Sequence, residues 1–320
     1  MRASAVAQPN IALVKYWGKQ NVEENLPAVG SLSITLDSLT TCMTVEFDDR
    51  LATDEMLLNG EPAERMLGRV SACLDQLIGP ARAHALISSE CNFPIAAGLA
   101  SSASAFAALV VAANQAAGLQ KDRLSLARAA GRASGSAARS LYGGFVELSA
   151  GVQQIDVKPI LDAGEWPLQV VVAITEKAPK PVSSGKAMML SAQTSPFYSS
   201  WLEHQEQDLR QAANAIAERD FAALAIVSEH NCLKMHSVMW GSRPPVVYWN
   251  KATLACMETI RALQQDGVAV FFTIDAGPQV KAVCLPEHAD QVHLAMQATE
   301  GVIETMQSAL GAGARLLDDS

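Results

Sequence analysis

The chain is organised around Asn92-Phe93-Pro94-Ile95-Ala96-Ala97-Gly98-Leu99-Ala100-Ser101-Ser102-Ala103-Ser104, which runs directly into an apolar segment at residues 105–111. Gly98 allows a tight bend and a close approach of the backbone to a ligand. Ser101 or Ser102 can cap the helix that the apolar segment predicts. Because the first turn of a helix has unpaired amides and a positive dipole end, the stretch predicts an anion site. The alternative is an ordinary loop that caps a core helix, since short motifs often match by chance.

The composition indicates a globular protein with a full core. Its 320 residues are 49% hydrophobic and 18% charged, which suits one large or two medium domains. The net charge of −9 argues against a general binder of nucleic acid or of anionic membranes, so an anionic substrate requires a local basic pocket. The six cysteines lack a Cys-x-x-Cys pair, which favours reduced thiols in a cytoplasmic protein. We expect neither a signal peptide nor a membrane span, which needs about 20 apolar residues.

Hydrophobic periodicity predicts a mixture of strands and helices. The strand at 31–36 alternates with period two and is expected to be half-buried, and the one at 56–58 ends at an Asn59-Gly60 hairpin turn. The predicted strands cover residues 6–16, 31–36, 41–47, 56–58, 85–89, 145–148, 168–174, 268–274 and 280–285. The predicted helices cover residues 61–78, the segment after the quoted stretch to about 118, 121–130, 196–218, 221–236, 245–265 and 286–299.

A second candidate site is Gly131-Arg132-Ala133-Ser134-Gly135-Ser136-Ala137-Ala138-Arg139-Ser140-Leu141-Tyr142-Gly143-Gly144. Tiny residues let the backbone approach a ligand, and hydroxyls and amides are donors that a phosphate accepts. The planar fork of Arg139 suits a carboxylate or phosphate. The alternative is a tightly packed helix contact with Arg139 on the surface.

Three more charged residues are candidates. Lys15 and Lys19 flank the turn at the end of the first strand, where a phosphate or carboxylate could dock; two solvated lysines are the alternative. Asp275 follows a buried strand and precedes a Gly-Pro turn, so its carboxylate is placed to face a cleft. Its alternative is a turn-forming Asp that bonds the next amides.

Several other chemistries are disfavoured by missing patterns. The chain has no Gly-x-x-x-x-Gly-Lys-[Ser/Thr] phosphate loop and no Gly-x-Gly-x-x-Gly after a strand. Ser183-Ser184-Gly185-Lys186 fits Ser-x-x-Lys, but the partner motifs of serine acylases are missing. His230, Cys232 and His236 do not share one helix face, which argues against a metal site there.

Four segments together resemble the diphosphomevalonate decarboxylase family of the GHMP kinase superfamily. The first is Pro94-x-x-x-Gly98-Leu99-x-Ser101-Ser102-Ala103, and the others are residues 10–19, 134–140 and 273–278. The resemblance covers about residues 8–300. It implies an α+β, two-domain GHMP kinase fold with a deep cleft. The N-terminal part, residues 1–175, is expected to resemble the second domain of a ribosomal protein and to bind ATP, and the C-terminal part, residues 176–320, is expected to be ferredoxin-like.

The resemblance also implies an activity, which is the ATP- and Mg²⁺-dependent decarboxylation of mevalonate 5-diphosphate to isopentenyl diphosphate through phosphorylation of its 3-hydroxyl. Asp275 matches the carboxylate that orients or deprotonates this hydroxyl, Lys15 the lysine beside it, and Arg139 the arginine that holds the C1 carboxylate. The matching substrate contacts are Tyr16, Trp17, Gly18, Lys19, Arg69, Ser134, Gly135, Ser136, Ala137, Ala138, Gly185 and Lys186. The matching ATP contacts are Ala97, Gly98, Leu99, Ala100, Ser101 and Ser102, with Ser101 near the metal.

Two positions depart from the family pattern. Ala133 stands where the anion pocket usually opens with Gly, and Gly185 stands where relatives often place Arg or Thr against the diphosphate. Lys186, one position on, can substitute for that contact. The alternatives are a phosphomevalonate decarboxylase, a kinase whose product keeps its carboxylate, and a ligand-sensing protein on the same fold. The resemblance implies a homodimer, and the net charge argues against a nucleic-acid or membrane partner.

Overall fold

The computed structural model of the chain describes residues 1–93 and 101–317. The strands there are β1 (Arg2–Ala7), β2 (Asn10–Val14), β3 (Lys19–Asn21), β4 (Leu26–Pro27), β5 (Ser31–Thr35), β6 (Thr41–Phe47), β7 (Glu55–Leu58), β8 (Glu61–Pro62), β9 (Ala85–Cys91), β10 (Phe145–Ala150), β11 (Ile155–Leu161), β12 (Gln169–Ile174), β13 (Val270–Ile274), β14 (Val280–Cys284), β15 (Glu304–Ser308) and β16 (Arg315–Leu316). The α-helices there are α1 (Glu64–Ile78), α2 (Ser101–Ala116), α3 (Arg123–Ala133), α4 (Ser184–Thr194), α5 (Tyr198–Glu218), α6 (Phe221–Trp240), α7 (Lys251–Gln265) and α8 (Ala289–Gln297).

Three main sheets organise these elements into the predicted α+β fold. The N-terminal half has a six-stranded sheet in the order β16-β1-β6-β9-β7-β8 and a four-stranded sheet in the order β11-β10-β5-β2. The C-terminal half has an antiparallel sheet in the order β13-β14-β12-β15. Strand β12 therefore pairs within the C-terminal sheet, while β16 returns to pair with β1. The domain division at 175/176 stays a prediction.

Helix α2 packs on the six-stranded sheet and contacts α1 and α3. Most of its residues are buried, because alanines let the helix lie close to the strands while Phe106 and Leu109 fill the remaining space. A second core joins the two halves of the chain: Leu13 and Ile34 from the β2–β5 sheet share it with Val172 and Phe271 from the C-terminal sheet. The apolar core is thus continuous between the two halves of the chain.

The structure corrects four element predictions. The strand expected at 6–16 is divided into β1 and β2 at Gln8-Pro9, where the proline has no backbone N–H to donate. The helix expected from 61 begins at Glu64, because residues 61–62 form β8 after the Asn59-Gly60 turn. The helix expected from 245 begins at Lys251, where Asn250 forms a capping box. The C-terminal helix ends at Gln297 and is preceded by a 3₁₀ turn at Pro286–His288.

The expectation of a half-buried strand at 31–36 is also wrong, since every residue of β5 is buried. Period two predicts one solvated polar face. Here the polar face, with Ser31 and Ser33, is covered by the buried guanidinium of Arg139. Strands β11 and β15 and helix α4 were not predicted from the sequence.

Candidate active site

A cleft of about 550 Å³ collects side chains from distant parts of the chain. Its lining includes residues that follow β2, the segment after α3, the first turn of α4 and the end of β13. Of the residues singled out from the sequence, those that line it are Lys15, Tyr16, Trp17, Lys19, Arg69, Ser102, Ser134, Gly135, Ser136, Arg139, Gly185 and Asp275. The structure therefore brings Lys15, Arg139 and Asp275, which lie up to 260 residues apart in sequence, into one cleft.

The other singled-out residues lie at or behind the edges of this cleft. Gly18 has φ +103, and a Cβ there would collide with the hydroxyl of Tyr198. Ala137 and Ala138 are fully buried behind the lining residues. Lys186 is exposed on the first turn of α4, and Ser101 is the first residue of α2. Ala97, Gly98, Leu99 and Ala100 lie outside the described residues.

The strongest charge cluster in the cleft is centred on Asp275. Lys15 Nζ lies 2.7 Å from Asp275 Oδ1, and Lys281 Nζ lies 3.2 Å from Oδ2. Both lysine side chains are 1% exposed, whereas that of Asp275 is 25% exposed. Each carboxylate oxygen thus faces a different buried ammonium, and the open side of the carboxylate faces the cleft.

These two ammonium groups decide the protonation state of Asp275. Burial alone would raise the pKa of Asp275, but the charges and hydrogen bonds of Lys15 and Lys281 outweigh it and hold the pKa far below its usual range. Burial in turn lowers the pKa of Lys281, and the charge of Asp275 opposes that shift. Asp275 is a weak base at neutral pH, so it is better suited to orienting a hydroxyl than to removing its proton.

Sequence analysis missed Lys281, and the strand pattern held a signal for it. Lys281 is opposite Thr273 in the β13–β14 pairing, in the otherwise apolar run Val280–Cys284. A lysine inside a fully buried strand requires a compensating charge. Asp275, just beyond the end of β13, supplies it.

Arg139 forms the second charged region, and its partners are neutral. Its Nε donates to Ser33 Oγ at 2.9 Å, Nη1 to Ser31 Oγ at 2.6 Å and Nη2 to Asn10 Oδ1 at 3.2 Å. Arg139 is 1% exposed, and burial lowers its pKa to about 10, so it remains a cation at neutral pH. The alternative of a surface Arg139 is excluded. Asn10 was missed as a partner; it also donates to Ser136 O and Ser140 Oγ.

The small-residue segment beside Arg139 forms a polar wall. Ser134 Oγ lies 3.1 Å from Ser102 Oγ, which links this wall to the first turn of α2. The hydroxyl of Tyr16 is buried and has no hydrogen-bond partner among the described residues, and burial raises its pKa to about 12. A Cβ on Gly135 would collide with that hydroxyl, so a larger residue at this position would displace the Tyr16 side chain. An orphaned buried hydroxyl beside two serines indicates a place for a ligand oxygen.

Further cations line the mouth of the cleft. Arg69 is exposed, as expected for that helix, and its Nη2 donates to Ala133 O at 2.9 Å. Burial lowers the pKa of Lys19, and the nearby charge of Arg69 adds to this shift. Lys180 was missed by sequence analysis; its Nζ donates to Ala276 O at 2.9 Å, and burial lowers its pKa. An acidic protein therefore contains the local basic pocket that its composition requires for an anionic substrate.

Cys232 and His236 support the strand that precedes Asp275. Cys232 Sγ and His236 Nε2 lie 3.5 and 3.2 Å from the carbonyl oxygen of Ile274. Burial lowers the pKa of His236 to about 3, so its imidazole is neutral. Within residues 1–93 and 101–317, no three His, Cys, Asp or Glu side chains are grouped so that they could hold a metal ion.

Two family models match most of the chain. Residues 7–158 match the diphosphomevalonate decarboxylase-like N-terminal domain, and residues 170–312 match the mevalonate 5-diphosphate decarboxylase C-terminal domain. The diphosphomevalonate decarboxylase of Candida albicans is 33% identical over 312 residues, which cover 90% of this chain and 85% of that protein. The human diphosphomevalonate decarboxylase is 32% identical over 302 residues, with coverage of 86% and 74%.

Solved structures agree with these matches. Mevalonate diphosphate decarboxylase from Staphylococcus aureus superposes with a TM-score of 0.93 at 35% identity, covering 99% of this chain and 98% of that one. A structure described as MDDEF in complex with MVAPP, AMPPCP and magnesium has a TM-score of 0.92 at 35% identity, covering 100% and 99%. In the described part of this chain, no helix combines the length and apolarity needed to cross a membrane.

Proposed function

Because the chain belongs to the diphosphomevalonate decarboxylase family, we propose that it converts mevalonate 5-diphosphate and ATP into isopentenyl diphosphate, ADP, phosphate and carbon dioxide. The observation that carries the proposal is the placement of two different charged regions in one cleft. One is a carboxylate held between two lysines, and the other is a buried arginine with neutral partners. The reaction needs both: a group that orients a hydroxyl and a cation that holds a carboxylate.

Substrate binding follows from the cations and hydroxyls of the cleft. Lys19 and Arg69, with the Tyr16 hydroxyl and the Ser134–Ser136 wall, are placed to hold the diphosphate. Arg139 uses three of its five N–H donors on neutral oxygens. The remaining donors can hold the C1 carboxylate, which supplies the missing negative charge.

The chemical step is a phosphoryl transfer followed by an elimination. Asp275 orients the 3-hydroxyl toward the terminal phosphate of ATP. The hydroxyl oxygen bonds to the phosphorus as the bond to ADP breaks, the hydroxyl proton passes to an oxygen of the transferred phosphate, and Lys15 stabilises the negative charge on that group. The 3-phosphate then leaves with its bonding electrons while the electron pair of the bond to the carboxylate forms the new double bond and releases carbon dioxide. Positioning and charge neutralisation carry most of this catalysis.

The residues present fit a magnesium ion that is bound mainly through ATP. Magnesium prefers oxygen ligands, keeps several waters and commonly binds through one or two carboxylates together with substrate phosphates. The Ser101 and Ser102 hydroxyls, at the first turn of α2, are oxygen donors of the kind that such an ion accepts. When bound, the ion supplies positive charge to the phosphates of ATP. The ATP loop itself is assigned to residues 97–102 on the family resemblance.

The first experiment is to measure release of ADP and of carbon dioxide with ATP, Mg²⁺ and each of mevalonate, its 5-phosphate and its 5-diphosphate. We expect equimolar release with the diphosphate alone. Release with the monophosphate would assign the chain to the phosphomevalonate branch, and Gly185 would then account for the lost diphosphate contact. ADP without carbon dioxide would leave only a kinase. On the resemblance alone, we further propose that the protein is a cytoplasmic homodimer. Sedimentation of the purified chain tests the dimer, and fractionation of cells tests the location.

A further inference from the structure

The backbone of Lys15 is held by side chains from the C-terminal half of the chain. Strand β2 ends at Val14, so Lys15 lies just outside the sheet. Its N–H donates to Asn231 Oδ1 at 2.8 Å, and its carbonyl oxygen accepts from Gln205 Nε2 at 2.7 Å. Asn231 lies on α6 and Gln205 on α5. The backbone N–H and the carbonyl oxygen of Lys15 are therefore both hydrogen-bonded to side chains on two helices of the C-terminal half.

The orientation of the Asn231 amide is itself fixed. Its Nδ2 donates to Gln205 Oε1 at 2.8 Å and to Asp208 Oδ2 at 2.6 Å. The same Asp208 oxygen pairs with Lys234 Nζ at 2.6 Å. We name Gln205, Asp208, Asn231 and Lys234 the α5–α6 polar cluster. Because a carboxylate accepts only, the amide nitrogen must face Asp208, and the amide oxygen must face Lys15.

Gln205 and Asn231 are too deeply buried to contact a substrate. Gln205 and Asn231 are 1% and 0% exposed, and neither lines the cleft. Burying such polar groups costs free energy unless each is hydrogen-bonded, and a network whose hydrogen bonds are satisfied holds its members in fixed orientations. Trp201 extends the same pattern, because its Nε1 donates to the carbonyl oxygen of Trp17 at 2.9 Å.

We propose that Asn231 and Gln205 are positioning residues that set the place of the Lys15 ammonium against Asp275. The proposal rests on the proposed function for the reaction that Lys15 serves. Its physical basis is that hydrogen bonds to both the N–H and the carbonyl oxygen fix the Lys15 backbone. The side chain therefore starts from a fixed point, and its Nζ is held close to Asp275. Without these two hydrogen bonds the ammonium can shift, and a misplacement of about 1 Å can lower the rate about 10²-fold.

The test compares Asn231→Leu and Gln205→Met with Ser228→Ala as a matched control. Ser228 is also fully buried on α6, but its hydroxyl has no hydrogen-bond partner among the described residues. We expect kcat to fall about 10²-fold in Asn231→Leu and about 10-fold in Gln205→Met, with KM for both substrates within about threefold of wild type. Ser228→Ala should behave as wild type. If Asn231→Leu does not fold, Gln205→Met carries the test.

Two readouts separate positioning from general destabilisation. Crystal structures of the variants should show Lys15 Nζ beyond about 4 Å from Asp275, the limit of an ion pair. The acid limb of the kcat profile should move to higher pH, because Asp275 binds a proton more readily when an ammonium moves away. The titratable and charged groups that face Asp275 in this profile are Lys15, Arg139, Lys180, Cys232, His236 and Lys281.

An unchanged Lys15–Asp275 contact, or an equal loss of kcat in Ser228→Ala, would overturn the positioning role. So would a rise in KM alone with kcat intact. Failure of the wild-type protein to release carbon dioxide would instead overturn the proposed function. The crystallographic distance would still decide the positioning role in that case, since it does not depend on turnover.

Discussion

The two charged regions of the cleft differ in where their counter-charge comes from. Around Asp275, two buried lysines share one carboxylate, so the charges are paired inside the protein. Around Arg139, the hydrogen-bond acceptors are the neutral oxygens of Ser31, Ser33 and Asn10. Among the described residues, no carboxylate forms an ion pair with Arg139.

This difference assigns different tasks to the two regions. A buried cation without an anion is unfavourable by several kcal/mol in general, and an incoming carboxylate relieves that cost. The Arg139 region therefore gains most from binding a ligand. The Asp275 region is already neutralised in part and gains little from binding, but its groups are fixed before the substrate arrives. Under the proposed function, binding selectivity and chemical orientation are thus separated in space.

The largest expected effect comes from Asp275→Asn, which removes the internal counter-charge. We expect kcat to fall by about 10³-fold, because the amide cannot serve both lysines and a substrate hydroxyl. ATP should still bind, since the residues assigned to its loop on the family resemblance, 97–102, do not include Asp275. Turnover by carbon dioxide release and ATP affinity by calorimetry check this. Full activity in the variant would contradict the role of Asp275.

Arg139→Lys tests the other region. A point charge cannot reproduce three fixed hydrogen bonds and also grip a carboxylate, so we expect kcat/KM to fall by about 10²-fold. Addition of the substrate should raise the melting temperature of the variant less than that of the wild-type protein, whereas addition of ATP alone should raise both equally. Near-normal kinetics would count against a carboxylate contact and would erase the contrast between the regions.

Lys281→Met sharpens the comparison by leaving Asp275 with one lysine. The pKa of Asp275 is depressed in the folded protein, so its ion pairs stabilise the fold above the pKa of the unfolded chain. That stability is lost as pH falls through the folded pKa. Removing one lysine raises the folded pKa, so the acid loss of stability and of kcat should both begin at higher pH. We expect a drop of about tenfold in kcat at neutral pH.

Lys158→Met is the matched control for Lys281→Met. Lys158 lies on the exposed side of β11 and is not among the residues that line the cleft, so both the melting curve and the kcat profile should stay as in wild type. Equal acid limbs for Lys281→Met and wild type would show that Lys15 alone holds the Asp275 carboxylate.

Gly135→Ala should have the smallest effect. Its Cβ would displace the Tyr16 hydroxyl, which lies in the polar wall and not in either charged region. We expect KM for the substrate to rise by about threefold to tenfold with kcat nearly unchanged, since one hydrogen bond contributes about 1 kcal/mol. Gly164→Ala, at an open surface position, is the control. A large loss of kcat would place Tyr16 closer to the reacting centre.

The sequence predicted single residues better than their partners. Arg139 and Asp275 were identified from their local setting, one in a run of tiny residues and the other after a buried strand. Ser31 and Ser33 lay in a strand predicted correctly, yet period two assigned their face to solvent. Nothing near them in sequence indicates that Arg139, more than 100 residues away, covers that face. The ion pair of Lys281 could in principle have been predicted from the sequence, because a lysine buried in an apolar strand requires a nearby opposite charge.

By itself, the sequence determined the family, the α+β class and the individual candidate residues, because these depend on short-range rules. Glycines and serines at fixed spacing set a loop, and periodicity sets a strand or helix. Only the tertiary structure decided which groups share a charge or a hydrogen bond. Lys15 meets Asn231 across 216 residues and Asp275 across 260, and these contacts exist only because a common core packs the two halves together. Long-range pairing of polar groups is a property of the packed chain and leaves little trace in local sequence.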